Sequence, residues 1–264
     1  MSKPHGSDRV AIVTGAGGAI GGTMLRALAE DGIQPVGLDV NADLLKGLEA
    51  ELGNQRFLGL AIDVADAEAC RHAVETVLAK FGRIDVLVNC AGLFGEMSPG
   101  KPFPRFWERN LENWRAVQAV NSHGAFYMAY YAVPVMLEQR SGRVINVSTS
   151  FETMQAPGLA AYGPSKAAME TSAAIWAKEL KGTGVTVNVV LPGGPTATAF
   201  LPPGYPTEGL LAPAIMGPPT QWLASDAAAD MTGRRLIARQ WDPALPPAEA
   251  AQRCSAPAGW VEKE

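Results

Sequence analysis

The sequence predicts an α/β fold, a single domain in which a doubly wound parallel sheet of about seven strands carries helices on both faces. Three observations predict it. Short apolar runs alternate with helical patterns along the chain, as a parallel sheet with crossover helices requires. Strand interiors such as Val86-Leu87-Val88 and Val187-Asn188-Val189-Val190-Leu191 are almost continuously apolar, the pattern of strands covered on both sides. A length of 264 residues, without an internal repeat or low-complexity segment, fits one such domain spanning 1–264.

The first strand, Val10 to Thr14, runs into Thr14-Gly15-Ala16-Gly17-Gly18-Ala19-Ile20-Gly21-Gly22, after which Ile20, Met24, Leu25 and Leu28 mark a helix. A strand, a glycine-rich turn and a helix N-terminus together offer unpaired N–H groups and a positive dipole end to a pyrophosphate. Glycines there let the backbone turn tightly and approach the phosphates. A nucleotide site is therefore expected over 14–22, with Gly15, Gly17, Gly18, Ala19, Ile20 and Gly21 as its contacts. The second strand, Pro35 to Leu38, is closed by Asp39, which lies 24 positions after Gly15. At that distance a dinucleotide-binding unit presents a carboxylate to the adenosine ribose. Such a carboxylate accepts hydrogen bonds from a free 2′-hydroxyl and repels a 2′-phosphate. No Arg or Lys occupies the turn or follows at Val40 and Asn41, so NAD is expected as cofactor, not NADP. The alternative is that Asp39 merely caps the helix beginning near Asn41.

Further strands are read at Phe57 to Ile62, Ile84 to Val88, Arg143 to Val147 and Val185 to Leu191. Between the last two lies Tyr162-Gly163-Pro164-Ser165-Lys166, at the start of a helix. Side chains four residues apart leave one helical face and can meet at one reacting atom. A tyrosine is a poor base at neutral pH, but a nearby cation favours its phenolate and makes proton exchange with an alcohol feasible.

Taken together these residues resemble the short-chain dehydrogenase/reductase family, a Rossmann-type fold, along nearly the whole chain. The family's TGxxxGxG motif lies over Thr14 to Gly21, with Ala19 replacing its middle glycine. Asp63-Val64 matches the family's adenine-contacting pair, and Asn89-Cys90-Ala91-Gly92 its NNAG motif with Cys in second place. Asn121 falls where the family carries an asparagine that holds a water of its proton relay. The family's catalytic serine sits 13 residues before the tyrosine, which gives Thr149 here, with Ser148 the second choice and Ser150 adjacent. The resemblance implies that this hydroxyl bonds the reacting oxygen, Tyr162 exchanges the proton, and Lys166 holds the ribose and depresses the tyrosine pKa. Pro192-Gly193-Gly194 matches the family's PG turn. It leads to a threonine contacting the nicotinamide carboxamide, for which Thr196 and Thr198 both qualify.

The implied activity is NAD-dependent interconversion of a secondary alcohol and a ketone, with a polyol, a sugar derivative, a cyclic diol or a similar small molecule as substrate. A non-redox dinucleotide-binding regulator and an NAD-assisted epimerase or dehydratase are the alternatives. Substrate specificity is expected from Leu93 to Arg109, with Phe94, Met97, Phe103, Phe106 and Trp107, and from a lid over about 193–219. Phe151, Glu152, Met154 and Gln155 are also candidates; Glu152 hints at a polar or hydroxylated substrate, with a solvated surface glutamate the favoured alternative. The segment 239–264 departs from the family pattern, with Trp241 and Trp260 expected to pack on the body or on a neighbouring subunit. The resemblance further suggests a homodimer or homotetramer built on the helices of Asn121 and Tyr162.

Composition narrows the partners to small molecules. A net charge of −4 gives no footprint for nucleic acid or an anionic membrane. Cys70, Cys90 and Cys254 cannot all pair and are expected as reduced thiols. His5, His72 and His123 are too widely spaced for a metal-ligand cluster, so no metal is expected. The short polar stretch Met1 to Arg9 and the absence of a long apolar run suggest a cytoplasmic protein.

Overall fold

The computed structural model describes residues 9–53, 56–96, 103–201 and 205–259. In chain order the elements are β1 (Val10–Thr14), α1 (Ala19–Glu30), β2 (Gln34–Asp39), α2 (Ala42–Leu52), β3 (Leu58–Ala61), α3 (Ala67–Phe81) and β4 (Val86–Asn89). Then come α4 (Leu111–Gln118), a π-helical turn (Ala119–Gly124), α5 (Ala125–Gln139), β5 (Gly142–Val147), α6 (Phe151–Met154), α7 (Tyr162–Glu179) and β6 (Val185–Leu191). The last elements are α8 (Gly217–Ala224), β7 (Arg234–Ile237), α9 (Pro247–Arg253) and β8 (Ser255–Pro257).

One sheet runs in the order β3-β2-β1-β4-β5-β6-β7-β8. Every neighbouring pair from β3 to β7 is parallel, and β8 is antiparallel to β7. The order reverses between β1 and β4, and at such a switch point the loops at the carboxyl ends of the strands part to leave a crevice. A core lies on each face. Met24, Leu25 and Leu28 of α1 pack with Leu223 of α8 on one side, and Val77 of α3, Met128 of α5 and Ala173 of α7 on the other. Fully burying one such Leu or Met stabilises the fold by roughly 1.5–3 kcal/mol.

The strand count exceeds the expected seven because the C-terminal segment builds an element. Ala250, Ala251 and Cys254 are buried, Ile237 N–H donates to Cys254 O, and Ala258 N–H donates to Gly233 O. Trp241 packs 6.4 Å from Trp222, ring centre to ring centre, while Trp260 lies outside the described residues. The fourth strand starts later than the apolar run predicts. Both backbone groups of Ile84 are taken by the side-chain amide of Gln139, at 3.0 and 2.7 Å, so pairing begins beyond it. Phe57 likewise leaves β3 and buries its ring in the core.

Candidate active site

The glycine-rich turn is held by close approach. Gly15 adopts φ +66°, and a side chain on Gly21 would collide with the Gly15 carbonyl oxygen, so α1 can begin directly against the turn only with glycine at both places. Gly18 precedes α1 and supplies no side-chain cap, leaving first-turn N–H groups facing a cavity lined by Gly18, Ala19 and Ile20. Ala19 is exposed at this mouth, and its methyl group meets no crowding that would close the turn. Thr14 has a bracing task that its motif position does not reveal. Its hydroxyl accepts from the N–H groups of Cys90 and Ala91, both at 3.0 Å, and so joins the end of β1 to the end of β4 across the switch point.

Asp39 ends β2 at the edge of the same cavity. One carboxylate oxygen accepts from Gly17 N–H at 2.9 Å and the other from Asn41 N–H at 2.9 Å. The cap of α2 is Asn41, whose side chain accepts from Asp43 and Leu44 N–H, so Asp39 is not the helix cap. The nearby cations are engaged elsewhere, Arg26 with Glu51 through two bonds of 2.6 and 2.7 Å and Lys46 with Asp43.

The cavity has a volume of about 490 Å³ and runs from the turn to the carboxyl ends of β5 and β6. Ala91, Gly92, Pro192, Gly193 and Thr196 line it, as do Thr149, Tyr162 and Lys166. Five expected residues do not line it, among them Gly17, whose N–H is taken by Asp39. Asp63 accepts from Ala65 N–H in a local turn, and Val64 packs against Gly124 of the π-helical turn. Asn89 is buried and donates to Asn146 Oδ1 at 2.8 Å. Asn121 is buried in the π-helical turn, donating to Leu93 O and Ser165 Oγ and accepting from Leu93 N–H. It therefore ties the segment after β4 to α7.

Successive residues at a strand end face opposite ways, and the three hydroxyls after β5 divide accordingly. Thr149 shares the cavity with Tyr162 and favours the ionised form of its phenol. Ser148 lines the cavity too, but its hydroxyl donates to Glu170 Oε2 at 2.9 Å. Ser150 caps α6 by accepting from Thr153 N–H. Lys166 donates to Val147 O at 2.8 Å, its Nζ 5.9 Å from the Tyr162 ring centre. Burial pushes the Tyr162 phenol up to about 12, with Thr149 pulling the other way, and burial pushes the Lys166 ammonium down to about 8. Removal from water drives both groups toward their neutral forms. Cys90 is likewise pushed up to about 12 by burial, which makes it inert as a nucleophile.

Two specificity candidates change. Phe151, Glu152, Met154 and Gln155 do not line the cavity; Phe151 lies under the Arg235 guanidinium at 4.1 Å, and Glu152 accepts from its own N–H and from Ser150 at the exposed start of α6. The expected lid over 193–219 is shorter than its run of Pro and Gly suggests. Thr196 bridges to Leu211, Leu211 N–H donates to Pro195 O, and Pro213–Met216 is a 3-10 turn whose Met216 is wholly buried beside α1. Met97 lies outside the described residues.

The sequence reading missed the support beneath these groups. Glu170 and Arg235 are buried, with 0% and 5% side-chain exposure, and form an ion pair at 2.8 Å. Arg235 also donates to Thr149 O at 2.6 Å, and Gly259 N–H donates to Glu170. Burial raises the Glu170 pKa and the adjacent Arg235 opposes it. The available signal was Glu170 itself, a charge four residues after Lys166 on the same helical face.

A crevice at a topological switch point, with a glycine-rich turn at one end and a Thr-Tyr-Lys group at the other, defines a dinucleotide-binding α/β enzyme. Residues 9–204 match the family model described as short chain dehydrogenase, and the chain belongs to that family, an oxidoreductase by class. It is 34% identical over 249 residues, 87% of its length and 90% of the relative's, to the D-threitol dehydrogenase of Mycolicibacterium smegmatis. To the 2,5-dichloro-2,5-cyclohexadiene-1,4-diol dehydrogenase LinX of Sphingobium indicum it is 31% identical, over 86% of this chain and 93% of that one. The crystal structure of an NAD+-bound xylitol dehydrogenase superimposes with a TM-score of 0.77 at 26% identity, over 88% and 98% of the two chains. Among the described residues no group of three or more His, Cys, Asp or Glu is placed to hold a metal ion, and no helix is long and apolar enough to cross a membrane.

Two outcomes are expected. Arg235→Met strands a buried carboxylate and lowers stability by about 3–5 kcal/mol, whereas Arg235→Met with Glu170→Leu recovers most of that loss, as urea denaturation would measure. Lys166 has its folded pKa below its ordinary 10.5, so the cost of its buried charge is fully present below pH 8 and disappears as pH rises toward 10.5. Relative to Lys166→Met, the native protein gains about 3 kcal/mol across that interval, read as the change in the difference between their denaturation midpoints.

Proposed function

We propose that the protein is an NAD-dependent dehydrogenase that interconverts a secondary alcohol and a ketone. The observation that carries this reading is the convergence of Thr149, Tyr162 and Lys166 at one end of a cavity whose other end is the glycine-rich turn. The residues present fit a dinucleotide: Gly15 and Gly21 leave room for close backbone approach, the uncapped start of α1 suits a pyrophosphate, and Asp39 suits the ribose hydroxyls. The bound cofactor supplies the hydride acceptor.

Thr149 orients the reacting oxygen by hydrogen bonding, and Tyr162 takes the alcohol proton during oxidation and returns it during reduction. Ser148, engaged with Glu170, is the positioning partner. Lys166 holds the ribose and the charge balance of the phenol, and Asn121 organises the water linking Lys166 to solvent. Thr196, Pro192 and Gly193 hold the carboxamide end. Preference for NAD over NADP rests on Asp39, with Arg26 and Lys46 already paired to carboxylates. The named activities of the relatives, on polyols and a cyclic diol, support small hydroxylated substrates. The same reading places the protein in the cytoplasm as a homodimer or homotetramer built on α5 and α7, whose outer surface leaves Phe126, Tyr130 and Ile175 exposed.

NADH formation at 340 nm with NAD and a panel of secondary alcohols tests the proposal. Tyr162→Phe is expected to lower kcat by about 10²–10⁴-fold. Asp39→Ala is expected to raise the KM for NAD roughly tenfold or more and to narrow the gap to NADP. NADH binding without turnover of any alcohol would leave the non-redox reading instead.

A further inference from the structure

The end of the cavity above Tyr162 is walled by aromatic rings. Phe94 lies 4.8 Å from Tyr162, ring centre to ring centre, and holds Phe103 at 5.9 Å and Phe200 at 6.4 Å. Phe103, Phe200 and Tyr205 line the cavity yet keep 40%, 36% and 41% of their surface exposed. Apolar faces left open to water inside a concave site are surfaces that a ligand covers.

Besides the Tyr205 hydroxyl, the polar groups at this end are few and engaged. Ser150 and Thr153 bond each other at 3.0 Å, and Thr198 accepts from Phe200 N–H. Among the described residues the charged ones lining the cavity are Asp39 and Lys166. Asp39 stands three strands from β5, about 14 Å away at the usual strand spacing, and Lys166 is bonded to Val147 O beneath Tyr162. Arg109 donates to Gly158 O and does not line the cavity, and neither does Glu152.

We propose that the substrate is an uncharged cyclic secondary alcohol whose apolar ring carbons lie against Phe94, Phe103 and Phe200. The proposal rests on the alcohol oxidation assigned to Tyr162 and narrows it. An open-chain polyol bound here would desolvate several hydroxyls against rings that offer them no partner, a cost that a ring alcohol with one or two hydroxyls avoids. Among the described residues, an acid or a phosphate ester would meet no free cation at this end. A ring of saturated carbons presents flat apolar faces to the aromatic wall and directs its hydroxyl toward Thr149 and Tyr162. In the forward reaction the carbinol C–H leaves as hydride to NAD and the O–H proton passes to Tyr162 in its phenolate form, which has first released its own proton toward solvent, giving a cyclic ketone and NADH.

The test compares kcat/KM for cyclohexanol and trans-cyclohexane-1,2-diol with that for threitol, xylitol and 3-hydroxybutyrate, using NAD and the intact protein. The cyclic alcohols are expected to lead by roughly tenfold or more, and Phe200→Ala to cut that lead by about tenfold through KM while Phe200→Tyr preserves it. NADH binding and circular dichroism establish that each variant is folded. As a readout independent of turnover, cyclohexanone is expected to quench NADH fluorescence on Tyr162→Phe protein, and threitol is not. Equal or faster turnover of the polyols or of 3-hydroxybutyrate would overturn the ring assignment while leaving the dehydrogenase intact, as would a Phe200→Ala loss shared by all substrates. Turnover of none of them by protein that binds NADH would overturn the oxidation itself, and the ring assignment with it.

Discussion

Neither the Glu170 carboxylate nor the Arg235 guanidinium could stay out of water without the other, because an isolated buried charge costs several kcal/mol. Their pairing at 2.8 Å joins α7 to β7. Glu170 sits one turn beyond Lys166 on α7 and accepts from Ser148 and from Gly259 N–H, while Arg235 sits on β7 and donates to the carbonyl of Thr149. The hydroxyl-bearing strand end, the tyrosine helix and the C-terminal segment are thereby fixed to one another from below. The proposed placing of an alcohol oxygen between Thr149 and Tyr162 calls for that kind of support, since positional looseness of a catalytic group is costly.

The electrostatics of the site follow from the same burial. Tyr162 and Lys166 are both shifted toward neutrality by the loss of water. What Lys166 contributes within the protein is a donor to the Val147 carbonyl, the last residue of β5, immediately before the two hydroxyls that face opposite ways. Orientation is therefore built in by the chain, and the balance of charge depends on what the crevice holds.

Much of this was legible in the sequence, for identifiable reasons. The alternation of apolar runs and helical periods gives the parallel sheet, because a strand covered on both sides has no solvent face to mark with polar residues. Gly15, Gly21 and Asp39 stand in the places that a βαβ unit assigns by local geometry. What could not be read depends on contacts between distant residues. The Gln139 amide that shortens the start of β4 is 55 positions from Ile84, and Arg235 reaches a carbonyl 86 positions away. Nor does a count back from Tyr162 reveal which of three neighbouring hydroxyls points inward; that is set by the pleat at the end of β5 and by Glu170. The Pro- and Gly-rich run after β6 reads as a loose cover, yet its bridge to Leu211 and the burial of Met216 make part of it core.

The antiparallel β8 closes one margin of the sheet. Its three residues end in Pro257, which has no N–H to offer a further strand. At the opposite margin β3 is only four residues long, with every second residue exposed. Short or blunted margins deny another chain a template for strand addition, the route by which open sheets aggregate. Contact between copies is left to the helical layers and loops, where side chains and not backbone groups decide which surfaces adhere.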